Sequence, residues 1–223
     1  MKKIGTVTIG QAPRTDVISD IAPILGKDVE IVEAGALDGL SKEEIGQFAP
    51  VEGDYILVTR LKDGSSVHVA EKYITPRIIE KINTHFKNGI PLVLLLCTGD
   101  FPGFDEGGLL IRPQRILFNT VQAIAQNQKL GVLMPSADQI PQGIEQWGKV
   151  SEKLKILGAS PYVDGLETVK KSARELKEWE VQLTILDCIG YTIAMQEAVR
   201  EITGKPVILG RGIAARVVKE LIG

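Results

Sequence analysis

The chain has 223 residues, 44% of them hydrophobic, enough to bury a substantial core in one large α/β domain or two small similar lobes. With 26 Lys and Arg against 28 Asp and Glu, it carries a formal charge of −2 and no basic block able to neutralise a run of phosphates, so nucleic acid is not an expected partner. No segment approaches the roughly 18 to 20 uninterrupted apolar residues of a membrane span, and the N-terminus runs from Lys2 and Lys3 straight into a short strand, so a cytoplasmic protein is expected.

In chain order, short β-rich runs alternate with stretches of helical period, the pattern of parallel sheets covered by helices. A strand over 4–9 leads to a helix over 15–24, and a strand over 29–33 to a helix over 41–48. Strands over 55–60 and 66–70 flank Asp63-Gly64, a two-residue turn signal that predicts an antiparallel hairpin. A helix over 76–88, opening at Pro76, precedes a strand over 90–97. Its run Leu92-Val93-Leu94-Leu95-Leu96 reads as a central parallel strand buried on both faces. The Gly-rich stretch 100–108 reads as a loop that covers a cleft, followed by a helix over 115–126. Strands over 129–134, 153–157, 182–188 and 206–209 then alternate with helices over 137–149, 165–178, 193–202 and 211–222.

The two halves echo each other. Val7-Thr8-Ile9-Gly10-Gln11-Ala12-Pro13 and Val132-Leu133-Met134-Pro135-Ser136 both pass from an apolar strand through a small-residue or proline turn into a helix. The expected fold is therefore α/β with two pseudo-symmetric lobes, 1–128 and 129–223, whose parallel sheets are flanked by helices and enclose a cleft. The last helix of the first lobe is free to cross to the other.

Chemistry must rest on few groups. The two cysteines, Cys97 and Cys188, are too few for a disulfide framework and lack zinc-ligand spacing, so no structural metal is expected. The two histidines are read as structural, His68 in the hairpin and His85 on an exposed helix face. Phosphate-binding fingerprints of the G-x-G-x-x-G and G-x-x-x-x-G-K-[ST] types are absent, so no nucleotide and no cofactor is expected.

Leu96-Cys97-Thr98-Gly99 and Asp187-Cys188-Ile189-Gly190-Tyr191-Thr192 each end a buried strand, where open α/β sheets bind ligands. A single free cysteine reads as a small core hydrophobe; the only two, at matching strand ends, favour function. A helix starting just beyond lowers a thiol pKa and binds anions, and Thr192 with the run 193–199 supports one after Cys188. After Cys97 the chain reads as loop.

The segment Gly10-Gln11-Ala12-Pro13-Arg14-Thr15-Asp16 lies on the same rim. Gly10 suits a tight turn, Gln11 and Arg14 suit a carboxylate, and Thr15 or Asp16 suits a helix cap. Ser136 reads as a helix cap, since no G-x-S-x-G surrounds it. Arg60 lies near a strand end, and Arg211 in Gly210-Arg211-Gly212 divides evenly between substrate clamp and solvated cap. Asp187 either modulates the adjacent thiol or binds nearby backbone N–H groups.

The stretches Thr6 to Arg14, Ala36-Leu37-Asp38-Gly39-Leu40-Ser41 and Leu186 to Tyr191 resemble the AroM family along the whole chain. That family is remotely similar to the aspartate/glutamate/hydantoin racemase superfamily. The resemblance implies two pseudo-symmetric α/β lobes, a catalytic cysteine in each at Cys97 and Cys188, no cofactor, a small carboxylate ligand and possible homodimers. It further implies that Thr98 and Thr192 bind substrate, and the full candidate binding set is Gly10, Gln11, Pro13, Arg14, Thr98, Gly99, Ser136, Gly190, Tyr191 and Thr192. Thr98-Gly99 stands where that superfamily usually has Asn, and Ile189-Gly190 where it often has Thr-His. Racemisation at Cα is the leading expectation. Decarboxylation or cis–trans isomerisation relying on Cys188, and anion binding without catalysis, remain the alternatives.

Overall fold

The computed structural model describes residues 2–103, 107–163 and 165–223. The chain divides into two compact units, Met1–Pro113 with Ala214–Gly223, and Gln114–Ile213.

The first unit contains a four-stranded sheet built from β1 (Lys2–Thr8), β2 (Val29–Gly35), β5 (Leu92–Leu96) and β6 (Leu109–Ile111). Its order is β2-β1-β5-β6 and every pairing is parallel. Helices α1 (Thr15–Leu25), α2 (Lys42–Gly46) and α3 (Glu71–Lys87) accompany it, and β3 (Ile56–Arg60) pairs antiparallel with β4 (Ser66–Ala70). All five residues of β5 are buried, as its unbroken apolar run requires for a strand covered on both faces.

The second unit repeats this plan. Its strands are β7 (Leu130–Met134), β8 (Leu154–Gly158), β9 (Leu183–Leu186) and β10 (Val207–Leu209), again all parallel, in the order β8-β7-β9-β10. Counting the parallel strands of each unit along the chain, both sheets run second, first, third, fourth. α4 (Pro113–Ile124) has its internal contacts here, with a 3-10 turn at Ala137–Gln139, α5 (Ile140–Trp147), α6 (Gly165–Glu178) and α7 (Ile193–Thr203). α8 (Gly210–Ile222) begins in this unit, and its part from Ala214 onward packs with the first. The sheets and the eight α-helices of the described residues confirm the α/β class, with two units of one topology.

Four local expectations need correction. α3 starts at Glu71 rather than at Pro76, which lies inside the helix. Pro76 forfeits one backbone bond, yet Ile74, Ile78, Ile82 and His85 lie buried along one face, and Ile74 anchors the turn before the proline. The hairpin turn is longer than two residues. Leu61 N–H bonds Ser65 O at 2.8 Å and Gly64 N–H bonds Leu61 O at 3.0 Å, which leaves Lys62-Asp63-Gly64 as a three-residue loop closed by Gly64 at φ 86°. Lys42, then Ser65, bonds the Asp63 carboxyl and holds it well below the usual carboxylate range. β6 is a short strand in the stretch between the 100–108 loop and the next helix, where no strand is expected, since three residues have no period to detect. The covering role expected of that loop falls partly on 104–106, which lie outside the described residues.

The fourth correction is His85, which is buried at 4% exposure rather than solvent-facing. Its Nε2 donates to the Thr6 carbonyl at 3.3 Å, and its ring lies against Gly5, where a Cβ would come within 2.9 Å of it. Burial lowers its pKa, opposed by the Thr6 bond. The unfolded chain therefore binds this proton more tightly. The neutral ring's contribution is complete above the unfolded value of about 6.5 and is lost as pH falls through it toward the lower folded value. The urea midpoint of the wild type is expected to drop between pH 7.5 and 5.5, and His85→Phe to flatten that drop. Parallel pH profiles for the two proteins would overturn the assignment.

Candidate active site

At the end of β1 the loop from Gly10 to Arg14 is held almost entirely by polar bonds. Asp38, in the turn after β2, accepts from Ala12 N–H and Gly35 N–H, both at 2.8 Å. Gln11 donates to the carbonyls of Leu37 and Leu40 at 3.3 and 3.2 Å and accepts from Lys62 N–H at 3.0 Å. Its amide thus ties three loops together rather than standing open for a carboxylate. Gly10 is required by close approach, because a Cβ there would strike the Arg60 carbonyl and the Thr59 hydroxyl. Pro13 is exposed, and the Ala12–Pro13 peptide is cis.

Arg14 is buried and anchored. Its Nε and Nη2 donate to the two Asp16 oxygens at 2.9 and 2.8 Å, and its Nη1 donates to Thr8 Oγ1 at 3.1 Å. Its backbone N–H donates to Glu33 Oε2 at 2.7 Å. A guanidinium already bidentate to a carboxylate supports the loop. Neither Thr15 nor Asp16 caps α1: the N-cap is Arg14, without a side-chain cap bond, because Asp16 faces the guanidinium. Arg60 is half-exposed and bonds the Gly64 carbonyl across its own hairpin.

Cys97 follows β5, the third parallel strand of its unit, and is 7% exposed. The Gly99 N–H donates to its Sγ at 3.2 Å. Thr98 between them is buried, and a Cβ on Gly99 would come within 2.7 Å of Leu57. The next residue, Asp100, donates its N–H to the Tyr55 hydroxyl at 3.2 Å.

Cys188 follows β9, the third parallel strand of the second unit, and is 5% exposed. Gly190 N–H donates to its Sγ at 3.3 Å. The two cysteines therefore share a topological position and a Cys-x-Gly turn in which the glycine N–H faces the sulfur. Such a donor favours the thiolate over the thiol.

The surroundings of Cys188 are built by residues distant in sequence. The Tyr162 hydroxyl lies 3.7 Å from Sγ. Asp187 accepts from the Trp147 indole N–H at 2.8 Å and from Gln146 Nε2 at 3.5 Å. Side chains of α5, rather than the local backbone alone, thus hold this carboxyl. Arg211 is 1% exposed and donates from Nε to the Ile189 carbonyl at 2.8 Å. It is no solvated cap but a clamp on the turn between cysteine and glycine. Tyr191 is fully buried, its hydroxyl donating to Ala159 O at 2.6 Å, so its phenol holds protein rather than facing solvent. Burial, then the charges of Cys188, Asp187 and Tyr162, raise its pKa well above the usual tyrosine value, which keeps it a donor.

Thr192 caps α7, accepting from Met195 N–H at 3.2 Å, and leaves its own proton for another acceptor. Ser136 caps the 3-10 turn after β7 through Asp138 N–H at 3.3 Å, as its reading as a cap expects. His68 is exposed on β4. Sequence reasoning missed Tyr162, Trp147 and Asp38. Only Asp38 left a trace, in the turn 36–41.

The described residues include no group of three or more His, Cys, Asp or Glu able to hold a metal ion. No helix among them is long and apolar enough to cross a membrane.

This fold is shared with solved aspartate, glutamate and allantoin racemases. The chain is similar to the Nocardia farcinica maleate cis-trans isomerase, with a TM-score of 0.64 at 12% identity over 100% of this chain and 92% of that one. It is similar to an arylmalonate decarboxylase at a TM-score of 0.63 and 13% identity, covering 99% and 92%. It is also similar to the allantoin racemase from Klebsiella pneumoniae at 0.62 and 15%, covering 100% and 88%. The chain belongs to the AroM protein family, which it matches over residues 4–222. Comparison with curated protein sequences finds no match.

Proposed function

We propose that this AroM-family protein is a cofactor-independent isomerase of the racemase/epimerase type, moving a proton at Cα of a small carboxylate with Cys97 and Cys188 as paired acid and base. The observation that carries the reading is the repeated Cys-x-Gly turn at the end of the third parallel strand of each unit. The structural neighbours include aspartate and glutamate racemases, whose names support a small carboxylate as the ligand.

In the proposed reaction one thiolate takes the Cα proton, leaving the electron pair delocalised into the carboxylate. The thiol of the other cysteine then delivers its proton to the opposite face. The pair ends with its protonation reversed, and no electrons leave the system. Both sulfurs must reach one carbon from opposite faces in the working complex. Thr98 and Thr192 supply hydroxyls that donate to the developing charge, and Gly10, Pro13, Gly99, Ser136, Gly190 and Tyr191 complete the binding set by shaping the turns around them. Gln11 and Arg14 serve it by fixing the first loop.

The Tyr162 hydroxyl and the Arg211 clamp at Cys188 favour a second reading, in which Cys188 does most of the chemistry of a decarboxylation or cis–trans isomerisation. Incubation in D₂O with a panel of amino, hydroxy, malonic and unsaturated dicarboxylic acids separates the two. Deuterium entering Cα together with interconversion of enantiomers is the expected result. Carbon dioxide release or double-bond isomerisation without racemisation would replace it with the second reading. Ligand protection of the thiols from alkylation without any turnover would leave an anion-binding protein.

A further inference from the structure

Tyr162 lies in the segment between β8 and α6, 26 residues before Cys188. Its placement is specific. Ser160 Oγ accepts from the backbone N–H groups of Tyr162 at 3.2 Å and Val163 at 3.3 Å, which holds the turn carrying the ring. The hydroxyl end of the ring occupies the space beside Gly190: a Cβ on that glycine would lie 2.5 Å from the phenol oxygen and 2.6 Å from its ring carbon. Gly190 thus serves twice, giving its N–H to the sulfur and leaving room for the hydroxyl that also approaches it. The other nearby tyrosine cannot take this part, since the Tyr191 hydroxyl is bound to Ala159 O.

We propose that Tyr162 is a positioning residue whose hydroxyl donates to the Cys188 thiolate and, with Gly190 N–H, sets the acidity of that thiol. A thiol is a stronger acid than a phenol, so when one proton leaves the pair it leaves the sulfur, and the phenol remains as donor. Among the described residues, the ionisable groups about Cys188 include Asp187 before it, held by Trp147 and Gln146; Tyr191 after it; Tyr162; and Arg211 on the Ile189 carbonyl. None of these bonds passes through the Tyr162 hydroxyl, so its removal changes the sulfur's partner and leaves them in place. The inference rests on the reading of Cys188 as a working thiol, but its test does not require turnover.

The test is the pH dependence of iodoacetamide alkylation on the full chain, read separately at Cys97 and Cys188 by peptide mass spectrometry. Tyr162→Phe keeps the ring and removes the hydroxyl. Its Cys188 midpoint is expected to rise by about one pH unit while the Cys97 midpoint stays in place, since one unit corresponds to a tenfold change in thiolate fraction. Gly190→Ala keeps the phenol but displaces its ring, and is expected to move the Cys188 midpoint in the same direction. An unchanged Cys188 midpoint in Tyr162→Phe, or equal shifts at both cysteines, would overturn the proposal. Should that variant not fold, Tyr162→Leu, which also lacks the hydroxyl, is read in its place. A Cys188-specific shift without isomerase activity would uphold the role of Tyr162 while removing the proposed isomerase function.

Discussion

Cys97→Ser and Cys188→Ser are each expected to abolish the proposed racemisation, with a loss of about 10³-fold or more, because in that mechanism each removes the acid/base group on one face of the substrate. They are not expected to abolish deuterium exchange alike. A single remaining thiolate still removes and returns a proton on its own face, so each variant should exchange deuterium into one enantiomer without inverting it, and the two should choose opposite enantiomers. Serine is close in size but far less acidic, so the loss reports proton transfer rather than packing. Chiral chromatography combined with proton NMR in D₂O reads both quantities. Retention of full activity in Cys97→Ser, with loss in Cys188→Ser, would reject the paired mechanism and support chemistry centred on Cys188.

Trp147→Ala is expected to destabilise the protein by about 3–5 kcal/mol, the largest stability effect of any single substitution considered for the second unit. Trp147 is fully buried at the end of α5 and packs with Phe118 at a centroid distance of 5.8 Å among the core residues of that unit. Truncation leaves a large cavity and also strips a hydrogen bond from the buried Asp187. Trp147→Phe separates the two contributions. It refills most of the volume but removes the indole N–H, and should cost about 1.5–3 kcal/mol. Urea denaturation measures both, and a cost under about 1 kcal/mol for the alanine variant would contradict this account. Because Asp187 immediately precedes Cys188, the phenylalanine variant should also alter thiol reactivity while still folded.

The clearest sequence signals were those carried by continuous apolar runs. β5 and β9 announce themselves because a parallel strand covered on both faces is almost wholly apolar, and each leads into a cysteine, directly at Cys97 and through Asp187 at Cys188. Helix α6 is legible to the residue from its period and its leading glycine. Where local rules conflict with packing, packing prevails. Pro76 signals a helix start, but Ile74 has a buried place one turn earlier. His85 looks solvent-facing on a helix of mixed polarity, yet lies against the one strand position where Gly5 leaves room for its ring.

The same division holds for the candidate site. Sequence alone located Cys97 and Cys188 at equivalent strand ends, because strand, terminator and thiol are neighbours along the chain. It also singled out Gly10 and the loop to Arg14, but Gln11 and Arg14 look like ligand-binding groups until their partners are known. Only the tertiary structure shows Gln11 bridging three loops and Arg14 facing Asp16. It likewise converts Arg211 into a buried clamp on Ile189 and brings Tyr162 to Cys188 and Trp147 to Asp187. The physical reason is range. Periodicity and turn chemistry act over a few residues and determine which strand ends carry thiols. The side-chain hydrogen bonds around Cys188 join residues 22 to 40 positions apart, and only the folded sheet order brings them together.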